Sequence, residues 1–495
     1  MTADRPDSPW VLPSHDDPVV ASASQFIGGP VGRHAVVGRS WWTPVRVALV
    51  LVALASLLGV LADQPCRRTA WGDGTKQYTH ACYSDVVHLY WGRGLSDGLV
   101  PYFSDTTGTS AEPVEYPVLT GFAMWVTSLP IPSTWTPTDR GRLYYDVNAA
   151  AALVLAMITV WATALVARRR VWDAVMVAVA PGLVLTATLN WDMWAVALTA
   201  LGVLLWARRH PLAAGLLFGL AAATKFYPLL LLGPLLVLCF RAGRLRAFWL
   251  VLAGTAASWA TVNVPVMLTS FDSWSRFYVM SRDRGADFGS LWLVLGGQGV
   301  DLSDVTRVNA WGAQLLAVLC FGIAVLVLTA PRRPRFAQVA FLVLAAFLVT
   351  NKVYSPQYVL WLIPFAVLAR PRWRDFIWWQ AAEVLYFFAV WWYIHGFTDP
   401  DRALPQPSYY LAVLVHVAAT TAFAAFVVRD IWWPQHDPVR ADGDDDPSGG
   451  VLDGAPDRRA RGGRAQGGHA RGRHSDATGS DQVSSTVPGS MPTLP

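Results

Sequence analysis

Twelve apolar runs divide most of the chain, at about 45–62, 146–167, 173–189, 191–207, 211–224, 227–240, 246–268, 311–330, 336–350, 356–369, 375–396 and 408–428. No other feature constrains the fold as tightly. Lipid offers a backbone no hydrogen bonds, so a segment immersed in it must satisfy its own N–H and C=O groups, as a helix does. Several runs are shorter than the ~20 residues that cross a bilayer comfortably, and their helices are expected to extend into flanking polar residues. Only 15% of the residues are charged, against about 25% in a soluble domain. The expected fold is an all-α polytopic membrane protein with about twelve transmembrane helices.

The joints between runs alternate in chemistry. One set is basic: Arg168-Arg169-Arg170, Arg208-Arg209-His210, Arg241 with Arg244 and Arg246, Arg332-Arg333 with Arg335, and Arg370 with Arg372 and Arg374. The other set is not Arg-rich: 189–192, 225–227, 351–357 and 397–407. Arginine marks the cytoplasmic side. Alternation then makes both termini cytoplasmic, provided that 116–130 lies on the outer surface without spanning. Two large outer loops result, 63–146 and 270–310, and the site is expected there, at a plasma membrane. The expected membrane domain is 41–434. Residues 1–40 and 435–495 read as disordered cytoplasmic segments, too poor in apolar side chains to offset ordering entropy. Asp444-Asp445-Asp446 reads as a solvated acidic run in that tail. The start of the chain has no signal-peptide pattern, and no internal repeat is visible. Cys239 and Cys320 fall inside apolar runs, whereas Cys66 and Cys82 flank a polar outer loop, where a disulfide is expected.

Unusual polar residues gather on that outer side. Only three of the thirty-nine basic residues are lysines, Lys76, Lys225 and Lys352, and all three fall where positive charge is disfavoured. Lys225 and Lys352 stand at helix junctions just before a proline. A compact ammonium suits a phosphate, though a long basic side chain also snorkels readily. Asp85 opens an amphipathic stretch, a position that serves an N-cap and a catalytic base alike. Glu115 and Tyr116 open the next surface segment, where a carboxylate also complements a helix dipole. Asn190 and Asp192 sit in a tight turn and are ordinary turn residues as well. Asn351, Ser355 and Gln357 crowd a short joint. Tyr227, Arg282, Arg284 and His395 complete the outer-side candidates. Glu383 lies inside a run, where an ionisable group is a functional candidate or a helix-to-helix hydrogen bond. There is no metal-spaced His or carboxylate cluster and no phosphate-cradling Gly-rich loop, so neither metal nor cofactor is expected, and no nucleic acid partner.

Six pieces, in this order, resemble one family: Tyr83-Ser84-Asp85, Gly98-Leu99-Val100-Pro101-Tyr102, Glu115-Tyr116-Pro117, Asn190-Trp191-Asp192, Lys225-Phe226-Tyr227-Pro228 and Ser355-Pro356-Gln357-Tyr358. The chain is similar to GT-C superfamily membrane glycosyltransferases, in particular the polyprenol-phosphate-mannose-dependent mannosyltransferases of glycosyltransferase family 87. The resemblance implies GT-C-like extracytoplasmic surface helices and a polyprenyl-phosphate sugar donor, with mannose as the sugar. It further implies a glycolipid or glycan acceptor, surrounding membrane lipid and a catalytic aspartate that maps onto Asp85. Such enzymes often carry His just after the Ser-Pro pair, where this chain has Gln357 and Tyr358, which leaves sugar and acceptor open. The competing readings are a lipid-linked sugar transporter and a non-catalytic envelope scaffold. A transporter usually places its site at mid-membrane on broken, repeat-related helices.

Overall fold

In a computed structural model, residues 17–26 and 41–457 are described. Each of the twelve apolar runs is helical. Among the described residues, five helices are long and apolar enough to cross a membrane: Pro44–Ala62, Pro137–Ala178, Leu245–Thr269, Val305–Thr329 and Gln406–Trp432. Six apolar helices are shorter, among them Asp192–Ala207, Pro211–Ala222 and Phe336–Thr350. The expected count of twelve transmembrane helices is thus not reached by helices that are both long and apolar: Trp373–His395 has the length, with 23 residues, but is not among the five. Local sequence sets several starts. Thr43 caps Pro44–Ala62 and Thr136 caps Pro137–Ala167, each followed by a proline whose missing N–H costs nothing in the first turn.

Packing inside the bundle relies on small residues, as it does where lipid provides no hydrophobic drive. Pro211–Ala222 lies so close to Leu245–Thr269 that a Cβ on Gly215 would meet the Val251 carbonyl oxygen at 2.1 Å. The segment 116–130 forms the short helix Val118–Ser128, tied to the 222–225 joint by Leu119 N–H to Ala223 O (3.0 Å) and Thr120 Oγ1 to Thr224 O (2.6 Å). Cys66 and Cys82 are joined as a disulfide with Cα atoms 6.0 Å apart. It closes a loop with a sequence separation of 16, so reduction is expected to lower stability by roughly 3 kcal/mol. Thiol labelling of native, non-reduced protein should leave both sulfurs unmodified; two reactive thiols would refute the bridge.

The arginine-bearing joints converge on a segment that composition alone marks as disordered. Residues 434–457 run as a strap across them. Arg168 pairs with Asp453, Arg170 with Asp442, Arg241 with Asp457, Arg332 and Arg333 with Asp445, and Arg335 with Asp437. Arg372 donates to His436 O, and Gly450 packs directly on the Trp206 carbonyl. The Asp444–Asp446 run is correspondingly not a solvated one: Asp446 is buried, accepts the Phe336 N–H (2.9 Å), and burial pushes its carboxyl up to about 6. The reading of 435–495 as a disordered tail thus fails over 435–457, because its acidic residues have their counter-charges in distant loops. A short helix, Pro18–Phe26, also interrupts the segment read as disordered at the start, and Asp17 accepts the Trp373 N–H (3.1 Å). Residues 1–16, 27–40 and 458–495 lie outside the described residues.

Candidate active site

The helix Asp85–Gly92 begins against the 187–192 joint. Ser84 is its N-cap: its hydroxyl accepts the Val86 N–H (3.3 Å) and donates to Thr188 O (2.7 Å). The Asp85 N–H donates to Leu189 O (2.9 Å). Ser84, not Asp85, is therefore the side chain that caps the helix. Asp85 Oδ1 accepts from the Tyr83 hydroxyl (2.8 Å) and its Oδ2 from Asn190 Nδ2 (2.7 Å). Asp85 remains partly exposed. Burial pushes its carboxyl above the usual 3.8, opposed by those two hydrogen bonds and by the charge of Lys225. Burial and the neighbouring Asp85 charge push the Tyr83 phenol up, so it stays a donor. The Tyr83 ring is held between Trp391 and His88 (centroids 4.7 and 5.3 Å).

Asn190 links two halves of the cluster. Its Nδ2 also reaches the Tyr116 hydroxyl (2.9 Å), while its Oδ1 accepts from the Trp191 N–H (2.6 Å). Lys225 lies over the Tyr116 ring, 5.0 Å from the centroid, and its Nζ is 3.4 Å from Asp192 Oδ2. The Asp192 side chain is 0% exposed and that of Lys225 13%. Asp192 Oδ1 accepts from Trp361 Nε1 (2.8 Å), and Trp361 stacks between Tyr227 and Tyr358 (4.6 and 4.0 Å). The charge of Lys225 is therefore aimed along the Tyr116 face by a carboxylate fixed from below.

The other candidates sit differently. Lys352 makes different contacts from Lys225. Its Nζ donates to Arg282 O (3.0 Å) and its carbonyl accepts the Asp287 N–H (2.8 Å), which holds the 282–287 turn. Arg284, paired with Asp287 through Nε (2.6 Å), is, like Lys225, a cation close enough to act on both Tyr116 and Tyr358. Glu115 is held by Arg93 in a two-point ion pair (2.6 and 2.5 Å). Tyr227 turns its hydroxyl inward to Thr199 (3.1 Å). Asn351 closes its own turn on Val353 O (2.9 Å), Ser355 O accepts the Tyr358 N–H (3.0 Å), and Gln357 is buried beneath. His395 is buried at the end of Trp373–His395, facing Thr398, and Arg282 is exposed beside Asp283. Among the described residues no group of three or more His, Cys, Asp or Glu gathers as a metal site would.

Sequence reasoning missed Trp361 and Arg93 as positioning groups. Trp361 is one more aromatic in an apolar run, and Arg93 lies 22 residues from the carboxylate it holds. Glu383, read as a functional candidate or a helix-to-helix hydrogen bond, does join the helices Trp373–His395 and Gln406–Trp432. The carboxylate accepts from Trp379 Nε1 (3.1 Å) and Thr420 Oγ1 (3.2 Å) and faces His416 Nδ1 at 3.1 Å.

Residues 116–350 match the family model of glycosyltransferase family 87. The matched stretch contains Tyr116, Asn190, Asp192, Lys225 and Arg284 and begins after Asp85. No curated protein matches the chain.

Proposed function

We propose that the chain is a membrane glycosyltransferase, a reading that the match of residues 116–350 to glycosyltransferase family 87 supports, and that it moves a sugar, mannose by its resemblance, from a polyprenyl-phosphate donor to a hydroxyl of a glycolipid or glycan. Transfer takes place on the extracytoplasmic face of the plasma membrane, the side away from the arginine joints. One observation carries the reading. A partly exposed carboxylate, relieved of capping by Ser84 and oriented by Tyr83 and Asn190, shares a cluster with a lysine.

Asp85 takes the proton of the acceptor hydroxyl as that oxygen attacks the anomeric carbon. The new C–O bond forms as the bond to the phosphate oxygen breaks, and the electron pair leaves with polyprenyl phosphate. A single displacement inverts the anomeric configuration. Lys225 and Arg284 stabilise the charge developing on the departing phosphate, and Lys352 supports the turn that carries Arg284. The donor is a good leaving group, so no strong general acid is needed. Incubation with purified polyprenyl-phosphate sugars and lipid-linked acceptors, read by mass spectrometry, tests the proposal. Folded protein that transfers no sugar from any such donor would reject it.

The acid limb of the rate profile should belong to Asp85. A base must be ionised, and burial disfavours the ionised form, so transfer is expected to fall as pH drops through a value above the ordinary 3.8. A limb at or below that value would detach the titration from Asp85.

Lys225→Met is expected to slow transfer about tenfold or more, the scale of one charged hydrogen bond to phosphate. It also strands the Asp192 carboxylate, which is buried, and should lower thermal stability. Adding Asp192→Asn should restore the melting temperature without restoring transfer. Recovery of both would make Lys225 a structural partner of Asp192 only.

A further inference from the structure

A cleft of about 400 Å³ opens on the same face as the Asp85 cluster, between the loop that runs from Leu99 to Glu112 and the first turn of the helix Phe271–Asp283. We propose that it holds the glycan of the acceptor, a hydroxyl-rich oligosaccharide carried on a membrane lipid. This rests on the transfer reading above and names where the acceptor lies.

The lining has the chemistry that sugars require. Phe103 and Phe271 are exposed aromatic platforms for the C–H faces of sugar rings, and Arg93, Glu112 and Asp272 surround them with groups that donate to and accept from hydroxyls. Arg93 terminates the helix that Asp85 begins. Eight residues of helix span about 12 Å, so the cleft starts a few sugar rings from the carboxylate.

Its wall is also fastened to that cluster. Tyr102 has φ of 70°, a left-handed conformation that disfavours a bulky side chain. Its hydroxyl donates to Tyr116 O (2.9 Å) and Pro117 O (3.0 Å). The ring lies where a Cβ on Gly121 would come within 2.2 Å of its oxygen. Strain of this kind persists only where the surroundings enforce it. Here it fixes the loop to the backbone of the residue whose hydroxyl meets Asn190. A lipid carrier fits the neighbourhood of the cleft: Leu268, 77% exposed, lies one residue before the end of the apolar helix Leu245–Thr269, which leads into Phe271.

The test compares three acceptors: a mannosyl lipid and a mannotriosyl lipid, each in phosphatidylcholine vesicles, and free mannotriose. Phe103→Ala and Phe271→Ala change exposed side chains. Each should raise KM for the mannotriosyl lipid roughly tenfold, the scale of one lost aromatic contact, with kcat unchanged and KM for the mannosyl lipid unmoved. Unchanged KM for the mannotriosyl lipid, or an equal rise for both lipids, overturns the cleft. If free mannotriose is used as well as its lipid form, the lipid-borne assignment is overturned. Equilibrium binding of the mannotriosyl vesicles without donor separates the two readings. Binding that these variants weaken supports the cleft even where unmodified protein transfers nothing, an outcome that sinks only the transfer reading.

Discussion

Asp85→Asn is expected to reduce transfer by a factor of about 10²–10⁴, the usual contribution of a positioned general base, in a protein that still folds. The substitution preserves shape and removes the capacity to take a proton. The helix start survives because Ser84, not Asp85, accepts the Val86 N–H and anchors to Thr188. An asparagine oxygen still accepts from either Tyr83 or Asn190. Its amide then faces the donor on the other side, a mismatch of about 1–3 kcal/mol. A melting curve read beside the transfer assay separates that cost from lost chemistry. Near-normal transfer by a folded Asn variant would remove Asp85 from the reaction. A matching loss in Ser84→Ala, with Asp85 intact, would point instead to the position of the helix.

The helices were legible because lipid demands long apolar runs, and Asn190 and Lys225 were legible because polar residues at helix junctions break that pattern. What they do was less so. The rarity of lysine singled out Lys225 and Lys352 together, yet one meets Asp192 and Tyr116 while the other supports a turn. Rarity reports that a cation is unusual and says nothing of its neighbours. Position alone left Asp85 between cap and base, and the extended Ser84, one residue earlier, removes the first of these. Trp361 had no signature at all, since its indole N–H matters only through Asp192.

The strap was the least legible part, and its removal should be among the most damaging changes. Arg335 and Asp437 are 102 residues apart in sequence, and their side chains are 1% and 0% exposed. Two hydrogen bonds join them, Nε to Oδ2 (2.7 Å) and Nη2 to Oδ1 (2.9 Å). Two further guanidinium N–H groups donate to Leu368 O and Ala369 O (both 2.6 Å), and Asp437 also accepts from Gln338 and from the Val439 N–H. Such a pair adds little net stability compared with an apolar one, but breaking it strands a buried charge at a cost of about 3–5 kcal/mol. Asp437→Ala should therefore destabilise the protein by that amount, and Arg335→Met with Asp437→Leu should recover much of it. Truncation after His436 goes further, because Arg170, Arg241 and Arg333 lose Asp442, Asp457 and Asp445 as well. That truncated chain should not accumulate in folded form, whereas truncation after Asp457 keeps every one of these pairs. A chain ending at His436 with an unchanged melting temperature would return the strap to the dispensable tail that its composition suggests.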